Sequence, residues 1–274
     1  MRYEDLQLQG IDMPTFVLIH GAWHGGWCWW KVEPLLRQSV SRVYSPSLTG
    51  MGERSHLVRH LDPDAINLDL HIQDVVELLE NEGLFEVILV GHAYAGMVVT
   101  GVAEVCPQRL THLVYVNGVV PQDGEAMVDQ LNAVRGTEFT ARVRMAIESR
   151  EAFLPPPTTS EEIQRRWAIA DPEDQAWVLP RLCPQSVASF AQPVRLSRPE
   201  AEQIPRSFIL CSDSGFDPVA EQARHLDWGL YHLDTGHDPM ITKPREVAEI
   251  LLNIADTGPD HFLVTDGDQT TQGR

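Results

Sequence analysis

Short apolar runs recur along this chain, each ended by glycine, proline or polar residues. Thr15-Phe16-Val17-Leu18-Ile19-His20, Arg42-Val43-Tyr44-Ser45, Val87 to Val90, Thr111 to Val116, Ser207 to Cys211 and Gly229 to Leu233 have the length of buried strands. Between them the period changes. Ile72, Val75, Val76 and Leu79 fall at i, i+3, i+4 and i+7, and so do Val247, Ile250, Leu251 and Ile254 behind Pro244, which predicts amphipathic helices. Tyr94, Met97, Val98, Gly101 and Val102 keep a helical spacing directly after the Val87 strand. An aromatic helix is expected from about Trp27 to Gln38.

Strands that alternate with helices in this way build a mostly parallel, doubly wound α/β sheet. The alternation breaks from about Pro121 to Pro205, where Pro155-Pro156-Pro157 stands among short helical stretches. A segment of that kind between two core strands predicts an inserted helical cap. Its Phe153, Trp167, Trp177, Leu182 and Phe190 predict an apolar roof. One domain over 1–256 is expected, with core 14–120 and 206–256, the cap at about 121–205, and a polar tail over 257–274.

The 274 residues suffice for one such domain, and the formal charge of −18 argues against nucleic acid or an anionic membrane surface as partner. No apolar run reaches the ~18 residues of a membrane helix. The opening MRYEDLQLQG lacks the apolar core of a signal peptide, and Cys28, Cys106, Cys183 and Cys211 show neither metal nor disulfide spacing. A cytoplasmic protein with free thiols is therefore expected. A homodimer is left open.

The chemistry gathers at three loops. Gly91-His92-Ala93-Tyr94-Ala95-Gly96 joins a strand to a helix through small residues, as the G-x-S-x-G turn of serine hydrolases does, but the nucleophile position holds Ala93. Gly21-Ala22-Trp23-His24-Gly25-Gly26 follows an early strand and can aim backbone N–H groups into a site. In serine hydrolases such a loop supplies one oxyanion donor, and the residue after the nucleophile, here Tyr94, supplies the other. Ser212-Asp213-Ser214-Gly215-Phe216-Asp217 and Asp234-Thr235-Gly236-His237 follow late strands, where an acid and a base belong, and the order 93, 213, 237 is that of nucleophile, acid and base. His20 and His24 lack a third metal ligand at suitable spacing and are expected to shape their loop; no metal or cofactor is expected. Pro46 to Leu57 either lines the mouth of the pocket or is an ordinary connection.

FVLIHGAWHGGWCWW, PSLTGMGERSHL, VILVGHAYAGM, DPEDQAWVLPRLCPQS and LDTGHDPMITKP together resemble the α/β-hydrolases that include plant methylesterases, hydroxynitrile lyases and bacterial pyrethroid-hydrolase-like esterases, over roughly Pro14 to Ala255. The resemblance implies an α/β-hydrolase fold, Ala93 in place of the serine, His237 as base, and an oxyanion hole from the N–H groups of Ala22 and Tyr94. Two departures stand out. One is Ala93. The other is the acid: the family often places it one position later, at Ser214 here, so Asp213 is the first choice and Asp217 the second. Members that carry the acid after the strand before the cap would place it at Asn117. Lyases carry a lysine after the catalytic histidine, where this chain has Asp238. The expected function is a serine-type carboxylic-ester hydrolase for small hydrophobic or aromatic esters, lactones or xenobiotic esters, with Trp23, His24, Trp167 and Trp177 around the substrate. The chain as written is expected to be an inactive Ser→Ala form. The alternatives are a natural ligand-binding pseudoenzyme, or a cofactor-free lyase or oxygenase that uses His237 as base.

Overall fold

The computed structural model describes residues 13–39, 41–212 and 214–257. Its central sheet contains β1 (Thr15–Ile19), β2 (Arg42–Tyr44), β3 (Val87–His92), β4 (Leu110–Val116), β5 (Arg206–Cys211) and β6 (Gly229–Leu233). The order is β2-β1-β3-β4-β5-β6, and every ladder is parallel. β1 and β3 are buried along their whole length, as unbroken apolar runs in a parallel sheet require.

Helices cover the sheet: α1 (Glu33–Gln38), α2 (Leu68–Asn81), α3 (Ala95–Val105), then α4 (Met127–Glu148), α5 (Ser160–Trp167), α6 (Pro172–Val178) and α7 (Val187–Ala191), and finally α8 (Asp217–His225) and α9 (Pro244–Thr257). The side chain of Asn67 caps α2 by accepting from Leu70 N–H at 3.1 Å. The helix buries Ile72, Val75, Val76 and Leu79 as its periodicity predicts, and His71 with them. The helix expected from Trp27 to Gln38 is instead a 3₁₀ turn, Gly26–Trp29, followed by α1. Pro34 explains the division: it has no N–H for a continuous helix and is accommodated in a first turn.

Between β4 and β5 the chain leaves the sheet and forms the cap from α4 to α7, with an antiparallel ribbon pairing Phe153–Leu154 and Gln185–Ser186. α4 is interrupted at Gly136, whose φ of 78° and ψ of 172° lie outside the helical region. Thr257 ends α9, and the rest of the expected tail, 258–274, lies outside the described residues. Among the described residues no helix is long and apolar enough to cross a membrane.

The strand order reverses its direction of winding between β1 and β3, which opens a crevice at the carboxyl ends of the strands. Ile19 pairs with Gly91, His92 with Val116, and Cys211 with Leu233, so the loops that follow these strands emerge at one edge.

Candidate active site

Ala93 sits between β3 and α3 at φ 52°, in the left-handed region that an alanine rarely adopts. Its surroundings hold it there. Its N–H donates to Val116 O at 3.2 Å, and its carbonyl accepts from Gly96 N–H and Val119 N–H, each at 3.1 Å. Gly96 is required by this close approach, since a Cβ there would lie 1.9 Å from Val119 O. The turn is thus built like a nucleophile elbow although no hydroxyl stands on it.

The loop after β1 faces this elbow. Its shape is set by a turn in which His24 N–H donates to Gly21 O at 3.4 Å, by His24 Nδ1–H donating to Ala22 O at 2.7 Å, and by Trp23 at φ 64°. No acceptor among the described residues takes the N–H of Ala22 or of Tyr94, while both residues line the cavity. These two amides are therefore available to an oxygen placed between them.

His237 follows β6 and is buried. Its N–H donates to Trp167 O at 3.1 Å, its ring stacks on Phe216 at 5.3 Å between centroids, and its carbonyl accepts from His92 Nε2–H at 3.0 Å. The loop of His237 is thereby tied to the cap on one side and to β3 on the other. Asn117 Nδ2 lies 3.5 Å from His237 Nδ1, and Asn117 Oδ1 accepts from Cys211 N–H and Ser214 Oγ–H, both at 3.0 Å. An amide N–H can only donate, so Asn117 does not replace a carboxylate. Asp213 lies outside the described residues. Asp217 is exposed at the start of α8, forms no ion pair among the described residues and does not line the cavity.

The cavity at this edge has a volume of about 30 Å³, room for roughly two water molecules. Ala93, His237 and His24 form its floor, and Leu131, Phe139, Trp167 and Phe190 close it from the cap. Trp23 meets Phe139 and Phe190 edge-on at 6.0 Å. Trp23, His24 and Trp167 line it. Trp177 does not: it meets Trp30 in a tilted contact at 4.8 Å and lies under the Arg181 guanidinium at 3.4 Å, because its short helix turns the indole toward the 3₁₀ turn of the core.

Asp238 is fully buried, with Oδ2 3.3 Å from His24 Nε2 and Oδ1 3.3 Å from His92 Nε2. One carboxylate thus touches a histidine of the loop after β1 and one of β3, and it follows His237 in the chain. Together with burial, which dominates, it pushes the thiols of Cys28 and Cys211 up. The sequence marks it only as the residue after His237 and does not reveal these contacts, because its partners lie far away along the chain. His92, His237 and Asp238 bring donor atoms to within 4.8 Å of one another, the one such set among the described residues. His92 Nε2 directs its proton at the His237 carbonyl, so that nitrogen offers a metal no lone pair. His20 donates from Nδ1 to Gly21 O at 2.8 Å and accepts at Nε2 from Leu48 N–H at 3.0 Å, and burial lowers its pKa to about 3. It shapes its loop as a neutral ring, as the spacing predicts. The 46–57 loop packs beneath the elbow, with Ser47, Leu48, Thr49, Gly50 and Met51 buried.

The model of the alpha/beta hydrolase family matches residues 16–250. The chain belongs to this family. It is 35% identical over 247 residues to the carbendazim hydrolyzing esterase of Nocardioides sp. (strain SG-4G), across 87% of this chain and 98% of that protein. Methylesterase 9 of Arabidopsis thaliana is 27% identical over 265 residues, 90% of this chain and all of that one. Among solved structures, an extracellular alpha/beta-hydrolase from a Paenibacillus species superposes with a TM-score of 0.73 at 22% identity, covering 88% of this chain and 98% of that one. Both of these sequence relatives are named as esterases, and the fold expected from the alternation of strands and helices is the one found.

Proposed function

We propose that this chain is a serine-type carboxylic-ester hydrolase whose nucleophile position carries Ala93, so that as written it binds esters without forming an acyl-enzyme. The observation that supports this most directly is the left-handed elbow at Ala93, with two unengaged amides, Ala22 and Tyr94, on one side and the buried His237 on the other. These parts serve an acyl transfer and have little use without a nucleophile. In the serine form, Oγ at position 93 attacks the acyl carbon. His237 takes its proton and later returns it to the leaving alcohol. Asp213 is the proposed orienting acid, and its neighbour Ser214 bonds Asn117, which lies against His237. The two amides hold the oxyanion, an effect worth ~3 kcal/mol per donor.

The described lining of the cavity contains no Lys, Arg, Asp or Glu, which favours a neutral substrate, and its side chains are mainly aromatic and aliphatic. A small hydrophobic or aromatic ester fits that description, and the names of the relatives point the same way. Ala93 itself favours one second reading, in which His237 moves a proton in a reaction that needs no acyl-enzyme.

The deciding experiment is Ala93→Ser, assayed on p-nitrophenyl acetate and butyrate beside the unaltered chain. We expect the rate to rise by ~10³-fold or more, since loss of a triad serine costs ~10⁶, and a further His237→Ala change to abolish the gain. A folded Ala93→Ser protein that gains nothing on a broad ester and lactone panel would overturn the esterase proposal and leave the proton-transfer reading.

A further inference from the structure

Asp238 has no part in the acyl-transfer scheme, yet it touches the three segments that carry the site. It follows His237 in the chain. Its Oδ2 lies 3.3 Å from Nε2 of His24, in the loop after β1, and its Oδ1 lies 3.3 Å from Nε2 of His92, the residue before Ala93. A ring nitrogen of His237 lies within 4.8 Å of the same carboxylate. All these side chains are buried, Asp238 completely. The backbone of Asp238 is fixed too: its carbonyl accepts from Ile241 N–H at 3.0 Å and Thr242 N–H at 3.2 Å. The other titratable groups that its charge reaches among the described residues are the thiols of Cys28 and Cys211, raised first by burial and then by Asp238. A carboxylate is tolerated at such a depth only with protons or positive charge against it.

The protons can be placed. His24 Nδ1 lies 2.7 Å from Ala22 O, and a carbonyl only accepts, so Nδ1 carries a proton. Without a further proton, Nε2 would face the carboxylate with a lone pair at 3.3 Å, and the two would repel. One proton therefore stands between Nε2 and Oδ2. On the other side His92 Nε2–H, which donates to His237 O at 3.0 Å, also turns its positive edge toward Oδ1. At 3.3 Å both contacts of Asp238 are longer than ordinary N–H···O bonds, so they hold by charge more than by alignment.

His24 in turn holds the loop of Ala22 by two bonds. Its backbone N–H closes a turn on Gly21 O at 3.4 Å, and its ring Nδ1–H holds Ala22 O at 2.7 Å. His20 Nδ1–H shares Gly21 O at 2.8 Å. Gly21 C=O and Ala22 N–H belong to one trans peptide and point opposite ways, so holding the carbonyl aims the N–H into the cavity. Trp27 stacks on the His24 ring at 5.4 Å and sets its plane. Asp238 holds the far end of that ring, and a swing of the ring would release Ala22 O. We infer that Asp238 is a positioning residue which, through the proton it shares with His24, fixes the loop of Ala22 against the loop of His237 and the end of β3. The consequence for catalysis rests on the esterase reading; the placement of the loops does not.

The first measurement needs no variant. Proton NMR of the ligand-free chain with isotope-labelled histidine, at neutral pH, should show a second slowly exchanging proton at His24 besides that on Nδ1, placed against Nε2 by its contacts with the ring C–H protons. Its absence overturns the inference. Asp238→Asn keeps the volume and removes the acidic oxygens. In that variant the shared proton should vanish, the Ala22 and His24 amide resonances should shift, and the His24 amide should exchange about tenfold faster, the equivalent of one neutral hydrogen bond. A folded Asp238→Asn protein that keeps the parent shifts and exchange rates overturns the positioning. The activity arm adds Asp238→Asn to Ala93→Ser. We expect kcat to fall by ~10- to 100-fold with KM little changed, the cost of reacting groups displaced by less than an ångström. A loss confined to KM, or none, overturns the catalytic half. If Ala93→Ser is inactive while the NMR responses appear, the esterase reading fails and the positioning stands.

Discussion

The floor of the site and its roof are held by different forces. The floor, Ala22, Ala93, Tyr94 and His237, stands at the ends of parallel strands. Backbone bonds to neighbouring strands and loops fix its turns, down to the left-handed Ala93. The roof residues Leu131, Phe139 and Phe190 come from helices α4 and α7 and meet the site through side-chain packing. α4 even breaks its helix at Gly136 between Leu131 and Phe139. A floor built on strand ends fixes reacting atoms with the rigidity of the sheet. A roof built on side chains can be repacked, so it governs which substrate fits. Substitutions in the floor should therefore change the chemistry, and those in the roof the selectivity.

The largest effect would come from the reacting groups. In the Ala93→Ser protein, a His237→Ala change should lower the ester-hydrolysis rate by ~10⁴- to 10⁶-fold. Phe139→Ala in the same background should leave kcat within about tenfold and raise the rate on longer acyl chains, because truncating a partly buried ring enlarges the cavity. Steady-state kinetics on an acetate-to-octanoate ester series checks both. A roof change as damaging as the floor change would end the division drawn above.

Two glycines sharpen it on stability. Gly96→Ala places a Cβ 1.9 Å from Val119 O, a clash with backbone that cannot give way. A loss of ~3 kcal/mol or more is expected, at the upper end of overpacking effects. At Gly136 an added Cβ would meet nothing within 4 Å, but φ is 78°. Gly136→Ala should cost ~1–3 kcal/mol, the strain of an alanine at φ 78° and ψ 172°, a region essentially reserved for glycine. Urea denaturation of the two variants reads the difference.

Acid should find the sheet and its loops before the roof. His20 is held neutral in the folded state, its pKa lowered by burial from 6.5 to about 3, and His112 of β4, bonded to Ser207 of β5 at 2.9 Å, is lowered by burial to about 4. Between pH 6.5 and about 4 the unfolded chain binds a proton at each position and the folded chain does not. The stability from keeping them neutral is thus complete above pH 6.5 and declines as pH falls, by ~1.4 kcal/mol per pH unit for each histidine. His112→Asn should flatten that slope by one histidine's share, and Phe139→Ala should leave it unchanged, in urea unfolding at pH 7, 6 and 5.

The sequence makes the floor legible because its signals are local. A strand, a crowded turn and a helix are contiguous at Val87 to Val105, and the loops of Ala22 and His237 follow recognisable strands. What it hides are polar residues inside apolar patterns. His71 sits within the buried stripe of α2, and its partners Tyr94 and Thr49 come from other elements. Asp238 meets His24 and His92 only after the sheet has closed. The roof is legible in composition and not in direction: aromatic content predicts an apolar cap, yet the turn of Trp177 away from the cavity depends on where a seven-residue helix, Pro172–Val178, docks. Pro34 is the opposite case, a local signal that limits α1 and is visible in the chain itself.

The smallest effect tests whether the roof is latched by charge as well as packed. Lys31 pairs with Asp174 of α6 and donates to Ile241 O at 3.0 Å, so one ammonium joins the cap, the 3₁₀ turn of the core and the segment behind His237. Both side chains keep some contact with water, at 25% and 13% exposure. Water and salt screen such a pair, and its net worth is ~1 kcal/mol or less. Lys31→Met keeps most of the aliphatic stem and removes the charge. It should lower Tm by only a few degrees and leave ester selectivity unchanged, because the contact of Trp30 with Trp177 remains to hold the same junction. A shift in selectivity without a comparable fall in Tm would mean that the ion pair sets the position of the roof, and that the cap is oriented by electrostatics where the packing alone would leave it free.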